Sequence, residues 1–458
     1  MLLTIVLLLL LSAPGYAASY HGRIIERGAQ QPIAGAWVTL GNTVVQTGED
    51  GRFAISGEGN QLGVRASGYQ RTWIPVDRLT AGGQDVAFDP FTPKTLYLSF
   101  YGIANRRLRQ SALDLIEATE LNGVVIDIKG DRGLIAYPSA IPLAAQVGAQ
   151  QTITIPDLHG LVTSLRAKGI YTIARIVTFK DNPLALARPD LAVKTRSGSI
   201  WRDRERLAWT DPFKQEVQDY NIAVAVEAAK AGFDEIQFDY VRFPDAPGGL
   251  LFSMPSTLKS RINAIVKFLQ DARQKLTPYN VFLAIDIFGY VCWNLDDTGI
   301  GQRLEELMPH LDYLSPMLYP SCFQYGIPGY RNPVERPYET VYYSLKQAQE
   351  RTHLPTTRFR PWLQAFKDYA YDRRAFTGKE IRTQIQAAEH FGADGWMLWN
   401  PRNVYTADGL QEEGDGLRSG RETALPEDPL QGNDQDGDRE DAFPRSVCQP
   451  SGAVHHDR

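Results

Sequence analysis

The pattern of hydrophobic and polar positions changes once along the chain, close to Pro93. Before that point, short runs of β-type residues are separated by glycine-rich turns, which is typical of the strands of a small sandwich. The pattern therefore predicts an all-β sandwich domain over residues 19–90. Its expected strands lie within His21–Ile25, Pro32–Leu40, Gly48–Ile55 and Leu62–Tyr69.

Beyond this point, apolar strands alternate with helical segments. The expected strands are Leu96–Gly102, Gly123–Lys129, Tyr171–Phe179, Phe233–Phe243, Val281–Tyr290, Asp312–Tyr319, Phe359–Phe366 and Gly395–Asn400. The expected helices are Arg107–Glu120, Ile155–Lys168, Phe213–Ala231, Thr257–Leu276, Gln302–Leu307, Tyr338–Arg351 and Lys379–Phe391. Eight such units in order predict an α/β fold, a (β/α)8 TIM barrel over residues 94–405. A doubly wound open sheet shares the alternation, but no glycine-rich phosphate loop follows the first strand.

The two ends of the chain differ from both domains. Residues 1–17 contain an apolar run followed by small residues, which predicts a secretory signal peptide even though no Lys or Arg precedes the run. No later segment approaches the roughly 20 apolar residues that a membrane span needs. We therefore expect an exported protein, periplasmic or secreted. Residues 411–458 are acidic and contain several Pro and Gly residues, so they are expected to form a disordered tail.

The negative charge is concentrated in that tail. The formal net charge of the 458 residues is -5, and residues 411–458 contain 12 acidic and 5 basic residues. The rest is near neutral, with 43 basic and 41 acidic residues, and lacks the excess of basic residues expected of a nucleic-acid-binding protein. The three cysteines are too few for a disulfide scaffold. Cys292 and Cys322 follow successive predicted strands, so they either pair at one rim or remain isolated thiols.

Charged and aromatic side chains collect at the C-terminal ends of the predicted barrel strands, the face on which TIM-barrel active sites lie. The clearest case is Phe233–Pro244, an apolar strand that ends in Asp239. An unpaired buried carboxylate costs roughly several kcal/mol, so Asp239 either serves chemistry or forms a structural ion pair with Arg242 or Arg175. The rim residues that we select as candidates besides Asp239 are Asp127, Lys129, Arg175, Tyr240, Arg242, Asp286, Tyr319, Gln364 and Trp399. Asp131 and Asn400 are expected at the same strand ends without an assigned role.

Carboxylates on several strands suggest glycoside hydrolysis, in which one carboxylic acid protonates the leaving oxygen and a second carboxylate acts as nucleophile or base. Aromatic rings at the same ends would stack on sugar rings or cap the barrel core. None of the seven histidines falls at a predicted strand end, so a His-based metal centre and a Ser/His/Asp triad are not expected. We expect a polysaccharide partner and no metal or cofactor.

Two stretches resemble known families. Pro32–Val38, Asp50–Phe53 and Gly68-Tyr69 follow the pattern of carboxypeptidase regulatory-like domains, which implies a spacer or adhesive module. Val125–Lys129, Phe233–Pro244 and Ser315–Ser321 resemble an uncharacterised group of exported bacterial glycosyl hydrolases. The second resemblance covers residues 94–405 and implies a barrel with glycosidase activity. By analogy with other glycosidase barrels, it places the nucleophile on Asp239.

The second carboxylate follows from the strand order. Asp286 ends the strand beside that of Asp239, and a strand spacing of about 4.8 Å favours the roughly 5–5.5 Å carboxyl separation of retaining enzymes. We therefore predict retention, with Asp286 as acid/base and its pKa raised by burial and by the charge of Asp239. The other eight candidates are expected to bind substrate.

Other interpretations remain open at this point. Asp286 would have no chemical role if it only paired with Arg175 or Lys129, and Asp127 would then be the next choice. Glu235 is a weaker choice because it should lie deeper in the barrel. A non-catalytic carbohydrate-binding barrel is the main alternative to an enzyme, and sugar deacetylation, which would need a metal, is a third possibility.

Overall fold

The computed structural model describes residues 18–79, 84–246 and 248–412. The predicted signal peptide and the tail from residue 413 onward lie outside the described residues. The described chain forms two compact units, residues 18–66 with 70–90 and residues 67–69 with 91–412.

The first unit is all β, as predicted. Its strands are β1 Ala18–Glu26, β2 Trp37–Leu40, β3 Thr43–Gln46, β4 Arg52–Gly57, β5 Gln61–Arg65, β6 Thr72–Pro75 and β7 Gln84–Phe88. They form a three-stranded sheet of order β4-β1-β7 and a four-stranded sheet of order β3-β2-β5-β6. Strand alternation buries one face of each sheet, including Ile24 and Ile55 in the first and Val38 and Leu62 in the second.

The second unit contains a closed, eight-stranded parallel barrel, which confirms the predicted fold and removes the open-sheet alternative. The barrel strands are β8 Lys94–Leu98, β9 Gly123–Lys129, β10 Tyr171–Val177, β12 Glu235–Asp239, β14 Phe282–Phe288, β15 Tyr313–Met317, β16 Trp362–Gln364 and β17 Trp396–Trp399. A short two-stranded antiparallel sheet of β11 Lys194–Thr195 and β13 Leu250–Leu251, which the sequence pattern did not predict, joins two of the loops.

Helices connect the barrel strands. They are α1 Arg106–Ala118, α2 Pro142–Gln146, α3 Leu158–Ala167, α4 Asn182–Ala187, α5 Gln215–Ala231, α6 Leu258–Leu276, α7 Leu304–Leu307, α8 Pro337–Thr352 and α9 Gly378–Phe391. Helix α5 ends at Gly232, whose φ of 107° suits a residue without Cβ. This cap turns the chain directly into β12, the strand that carries Asp239.

The barrel strands separate two apolar layers. Ile236 and Phe238 of β12 belong to the layer between strands and helices. The residues that alternate with them, Glu235, Gln237 and Asp239, are buried and polar. Because side chains alternate along a strand, these three face the barrel interior, where aromatic side chains supply most of the packing.

Neither of the two alternatives left open for Cys292 and Cys322 holds. Cys292 is a free, fully buried thiol in the segment after β14. Cys322 takes part in a disulfide, so it is not an isolated thiol either. In the described part of the chain, no helix has the length and apolar character needed to cross a membrane.

Candidate active site

The register of four neighbouring strands brings the rim carboxylates together around one arginine. Arg175 of β10 pairs across the sheet with Asp127 of β9, and Val177 pairs with Asp239 of β12. Phe238 pairs with Ile285, so the next residues along these two strands are Asp239 and Asp286. All four of these charged residues are at least 94% buried, since none is more than 6% exposed.

The Arg175 guanidinium binds three carboxylates at once. Its Nη1 donates to Asp127 Oδ1 at 2.7 Å, and its Nη2 donates to Asp131 Oδ1 at 3.0 Å. Nε and Nη2 donate to Asp239 Oδ2 at 3.0 Å and 2.5 Å. Charge-assisted bonds of this kind hold a carboxylate in its ionised form and fix its orientation. Asp239 is therefore held as an oriented anion.

Asp286 lies beside this cluster in a different environment. Its Oδ2 is 3.9 Å from Arg175 Nε, and its Oδ1 accepts a hydrogen bond of 2.7 Å from Trp362 Nε1. Burial, followed by the negative charge of Asp239, raises the pKa of Asp286 well above its usual value. The structure thus places a carboxyl group that favours protonation next to an anion that is stabilised by an arginine.

Asp127 supports Arg175 from below the cavity. Its Oδ2 accepts hydrogen bonds from Tyr97 Oη at 2.6 Å and from the Phe100 backbone N–H at 3.2 Å. Burial raises the pKa of Asp127 to about 6, although Arg175 acts in the opposite direction. Because both of its oxygens are bonded within the protein, Asp127 orients Arg175 and does not line the cavity.

A cavity opens above these carboxylates, with about 430 Å³ of open space that includes its mouth. Seven of the candidate residues line it: Arg175, Asp239, Tyr240, Arg242, Asp286, Tyr319 and Trp399. Asp131, which the sequence places at the same rim without a role, also lines it. Phe288, Met317 and Trp362 line it as well, although they were not among the predicted rim residues. The alternation of side chains along a strand could have identified Trp362 as an inward-facing residue. Trp362 lies two residues before Gln364, and Leu363 between them faces outward.

The chain turns sharply after Asp239. Tyr240 has a φ of 50°, a left-handed conformation that bulky residues rarely adopt. Its backbone N–H donates to Asp239 Oδ1 at 2.6 Å. Strained backbone of this kind is found at functional sites, and here it fixes the second oxygen of Asp239.

Besides Asp127, two predicted substrate-binding residues lie away from the cavity. A bulge shifts the register so that Ile176, which faces the helices, pairs with Lys129. Lys129 therefore points outward, where its Nζ lies 2.7 Å from Asp181 and donates to Asn221 Oδ1 at 2.9 Å. Gln364 is fully buried and bonds the Ser321 backbone and hydroxyl. Both side chains bond other groups of the protein. Their positions therefore do not support a direct contact with substrate.

We expect Lys129→Met to reduce stability without changing glycan binding. Removing one partner of a buried ion pair costs about 3–5 kcal/mol, because Asp181 would remain buried and charged. Adding Asp181→Asn should restore part of that loss, since the amide oxygen still caps α4 at Leu184. Urea denaturation measures the first effect, and calorimetric titration with a bound glycan measures the second. A stable Lys129→Met variant with weakened glycan binding would contradict this expectation and support a substrate-binding role for Lys129.

Glu235 lies deep in the barrel, as expected. It forms an ion pair with Arg360 and accepts a hydrogen bond from Tyr171 Oη at 3.0 Å. Arg360 also binds Asp394 at 3.2 Å. This second buried cluster contains none of the residues that line the cavity, so it serves the barrel interior.

Comparison with known proteins agrees with this architecture. Residues 95–405, more than half of the chain, match the protein family described as "Putative glycosyl hydrolase domain". No curated protein sequence matches the chain.

Several solved structures are similar. A hypothetical protein from Ruminiclostridium thermocellum ATCC 27405 is 36% identical over 42% of this chain and 96% of its own, with a TM-score of 0.37. The PgaB (BpsB) glycoside hydrolase domain from Bordetella bronchiseptica is 15% identical over 69% of this chain and 95% of its own, with a TM-score of 0.51. The spore cortex-lytic enzyme SleL from Bacillus megaterium is 12% identical over 72% of this chain and 73% of its own, with a TM-score of 0.41. The likeness to the Bordetella domain concerns the fold alone.

Proposed function

The chain belongs to this glycosyl hydrolase family, and on that premise we propose that it hydrolyses a glycosidic bond of a polysaccharide with Asp239 and Asp286. The observation that carries the proposal is the contrast between these two neighbouring carboxyl groups. Asp239 is bonded by Arg175 as an anion, whereas burial raises the pKa of Asp286. Glycoside hydrolysis requires this division between a nucleophile or base and an acid.

The proposed reaction has two steps. Asp286 donates its proton to the glycosidic oxygen as the bond to the leaving sugar breaks, and Asp239 attacks the anomeric carbon to form a glycosyl ester. Asp286, now ionised, accepts a proton from water as that water cleaves the ester. The products are two shorter glycans, and both carboxyl groups return to their starting forms.

The geometry favours retention of anomeric configuration. Arg175 Nε lies 3.0 Å from Asp239 Oδ2 and 3.9 Å from Asp286 Oδ2. These two oxygens are therefore no farther apart than the sum of the two distances, about 7 Å. The carboxyl separation of retaining enzymes, roughly 5–5.5 Å, lies within this limit. Most of the range for inverting enzymes, about 6.5–9.5 Å, lies beyond it.

Aromatic walls would hold the sugar rings. Trp399 stacks on Tyr97 with ring centroids 3.9 Å apart. Trp362 packs edge-on against Trp399, with ring centroids 5.3 Å apart. The resulting corner is rigid, and both tryptophans line the cavity. Apolar walls with a few fixed polar groups are the usual composition of a ligand site.

The sequence features support a proposal for the location and the substrate. An apolar leader over residues 1–17 supports export, to the periplasm or the medium, and an exported glycosidase would meet an envelope glycan or an exopolysaccharide. The N-terminal β unit, residues 19–90, would serve as a spacer or an adhesive module.

The proposal is tested by incubating purified protein with a panel of bacterial envelope glycans and exopolysaccharides and measuring the release of reducing ends. We expect release from at least one polymer. A second candidate function is carbohydrate binding without turnover, because both oxygens of Asp239 already accept hydrogen bonds from the protein. Binding to a glycan with no release from any polymer would favour that second function.

We expect Asp286→Asn to lower turnover by about 10²-fold, the lower end of the range for general acid catalysis. Because Asp286 acts in its protonated form, wild-type activity should fall as the pH rises through its raised pKa. The variant has no group to titrate there, so the alkaline limb of its pH–rate profile should disappear. The profile of kcat/KM against pH measures both effects, with Asp271→Asn, a half-buried position on α6 outside the cavity lining, as control. An unchanged rate would remove Asp286 from the mechanism.

A further inference from the structure

Arg242 is the second guanidinium of the cavity, and its bonding differs from that of Arg175. The side chain is 3% exposed and lines the cavity wall. Its Nη1 donates to the Phe243 carbonyl at 3.1 Å. Among the described residues, no carboxylate lies within ion-pair distance of Arg242, and Nε and Nη2 have no hydrogen-bond partner. A buried charge left in this state is costly unless something binds it.

Aromatic rings hold the guanidinium in place. Its central carbon lies 4.5 Å from the ring centroid of Phe288, 4.8 Å from that of Trp209 and 5.1 Å from that of Tyr240. Ring contacts compensate part of the desolvation cost but supply no acceptor for the N–H groups. Neither Nε nor Nη2 is among the polar atoms that are both sealed from solvent and unbonded. These N–H groups therefore remain open to the cavity.

Asp239, Asp245 and Asp203 are the acidic residues that act on Arg242 electrostatically, and two of them are bonded to other groups. Asp239 is bonded to Arg175, and Asp203 accepts a hydrogen bond from Trp209 Nε1 at 3.0 Å and lies 3.5 Å from Lys180 Nζ. Burial lowers the pKa of Arg242, although Tyr240 and the three acidic residues oppose that effect. The guanidinium still stays charged at neutral pH, because an arginine loses its proton only far above pH 7. It is a fixed, preorganised positive group beside the proposed reaction centre.

We propose that Arg242 binds a carboxylate on the glycan, so that the preferred substrate contains a uronic acid next to the cleaved bond. A planar guanidinium with open Nε and Nη2 matches the two oxygens of a carboxylate. A neutral sugar would leave these N–H groups unpaired, and sites that leave buried polar groups unpaired discriminate strongly between substrates. This inference rests on the proposed glycan-binding function but not on turnover.

The test measures binding by calorimetry in the full chain carrying Asp239→Asn, which prevents turnover. The ligands are oligomers of alginate, polygalacturonate and hyaluronan, each compared with its carboxyl-reduced, neutral form. We expect at least one acidic oligomer to bind about tenfold or more tightly than its reduced form. Adding Arg242→Gln should abolish that ratio, and Arg242→Lys should preserve part of it. Arg402→Gln, which removes an exposed positive charge outside the cavity, should leave the ratio intact.

Two results would overturn the inference: no acidic oligomer binds more tightly than its reduced form, or the preference survives Arg242→Gln. A melting curve will show whether Arg242→Gln folds. If it does not fold, the inference is still tested by comparing each acidic oligomer with its reduced form on the protein that retains Arg242. Preference without turnover in the wild type would contradict the hydrolase proposal alone. Turnover of neutral glycans without any preference would contradict only the role of Arg242.

Discussion

Asp239→Asn should reduce glycan hydrolysis by roughly 10³–10⁴-fold, the scale seen when a central catalytic group is removed. The amide that replaces the carboxylate cannot attack the anomeric carbon. The amide oxygen can still accept a hydrogen bond from Arg175, which also keeps Asp127 and Asp131 as partners. We therefore expect a folded variant that binds glycan with little turnover, measured by the initial rate of reducing-end release.

Asp114→Asn is the control for this variant. Asp114 is an exposed carboxylate on α1 that accepts a hydrogen bond from Gln110 at 2.7 Å, far from the cavity lining. It removes the same charge and should keep the wild-type rate. An Asp239→Asn variant that is folded and hydrolyses glycan at the wild-type rate would exclude Asp239 as nucleophile.

Arg175→Met should destabilise the barrel by about 3–5 kcal/mol, because it leaves three carboxylates near one another without their shared cation. The loss should depend on pH. At pH 8 the three carboxylates repel one another as anions, whereas near pH 4 protonation removes part of that repulsion. The difference in unfolding free energy between wild type and variant should therefore shrink as the pH falls, which urea denaturation at the two pH values measures.

Arg175→Lys is the matched variant, because it keeps the positive charge but not the planar shape of the guanidinium. An ammonium group lacks the planar fork that reaches Asp127, Asp131 and Asp239 together, so we expect intermediate stability and low activity. A stability loss in Arg175→Met that is the same at both pH values, or larger in acid, would contradict the electrostatic account of this cluster.

The barrel was predictable because its strands read as apolar runs that end in charged residues. Gly123–Lys129 matches its observed strand at both ends, whereas the expected Phe359–Phe366 shortens to Trp362–Gln364. The prediction was too long because apolar residues that follow or precede a strand show the same sequence pattern as the strand itself. The small sheet of β11 and β13 was missed because each of its strands has only two residues, too few for any periodicity to show.

The site was predictable in part. Asp239 and Asp286 follow from strand order and register, and the shared Arg175 explains their association. Lys129 was misplaced because a bulge in β9 reverses the alternation, and a bulge of this kind has no signature in this stretch of sequence. Asp131 was expected at the rim, but its bond to Arg175 joins residues 44 positions apart, a contact that the sequence pattern does not show.

The anomeric configuration of the first product tests the central claim most directly. Proton NMR during hydrolysis of a susceptible glycan distinguishes the two anomers before they equilibrate. Hydrolysis through an Asp239 ester with Asp286 as acid/base predicts a first product with the same configuration as the bond that is cleaved. A first product of inverted configuration would contradict the nucleophilic role of Asp239, and the absence of any product from every glycan that the protein binds would contradict hydrolysis itself.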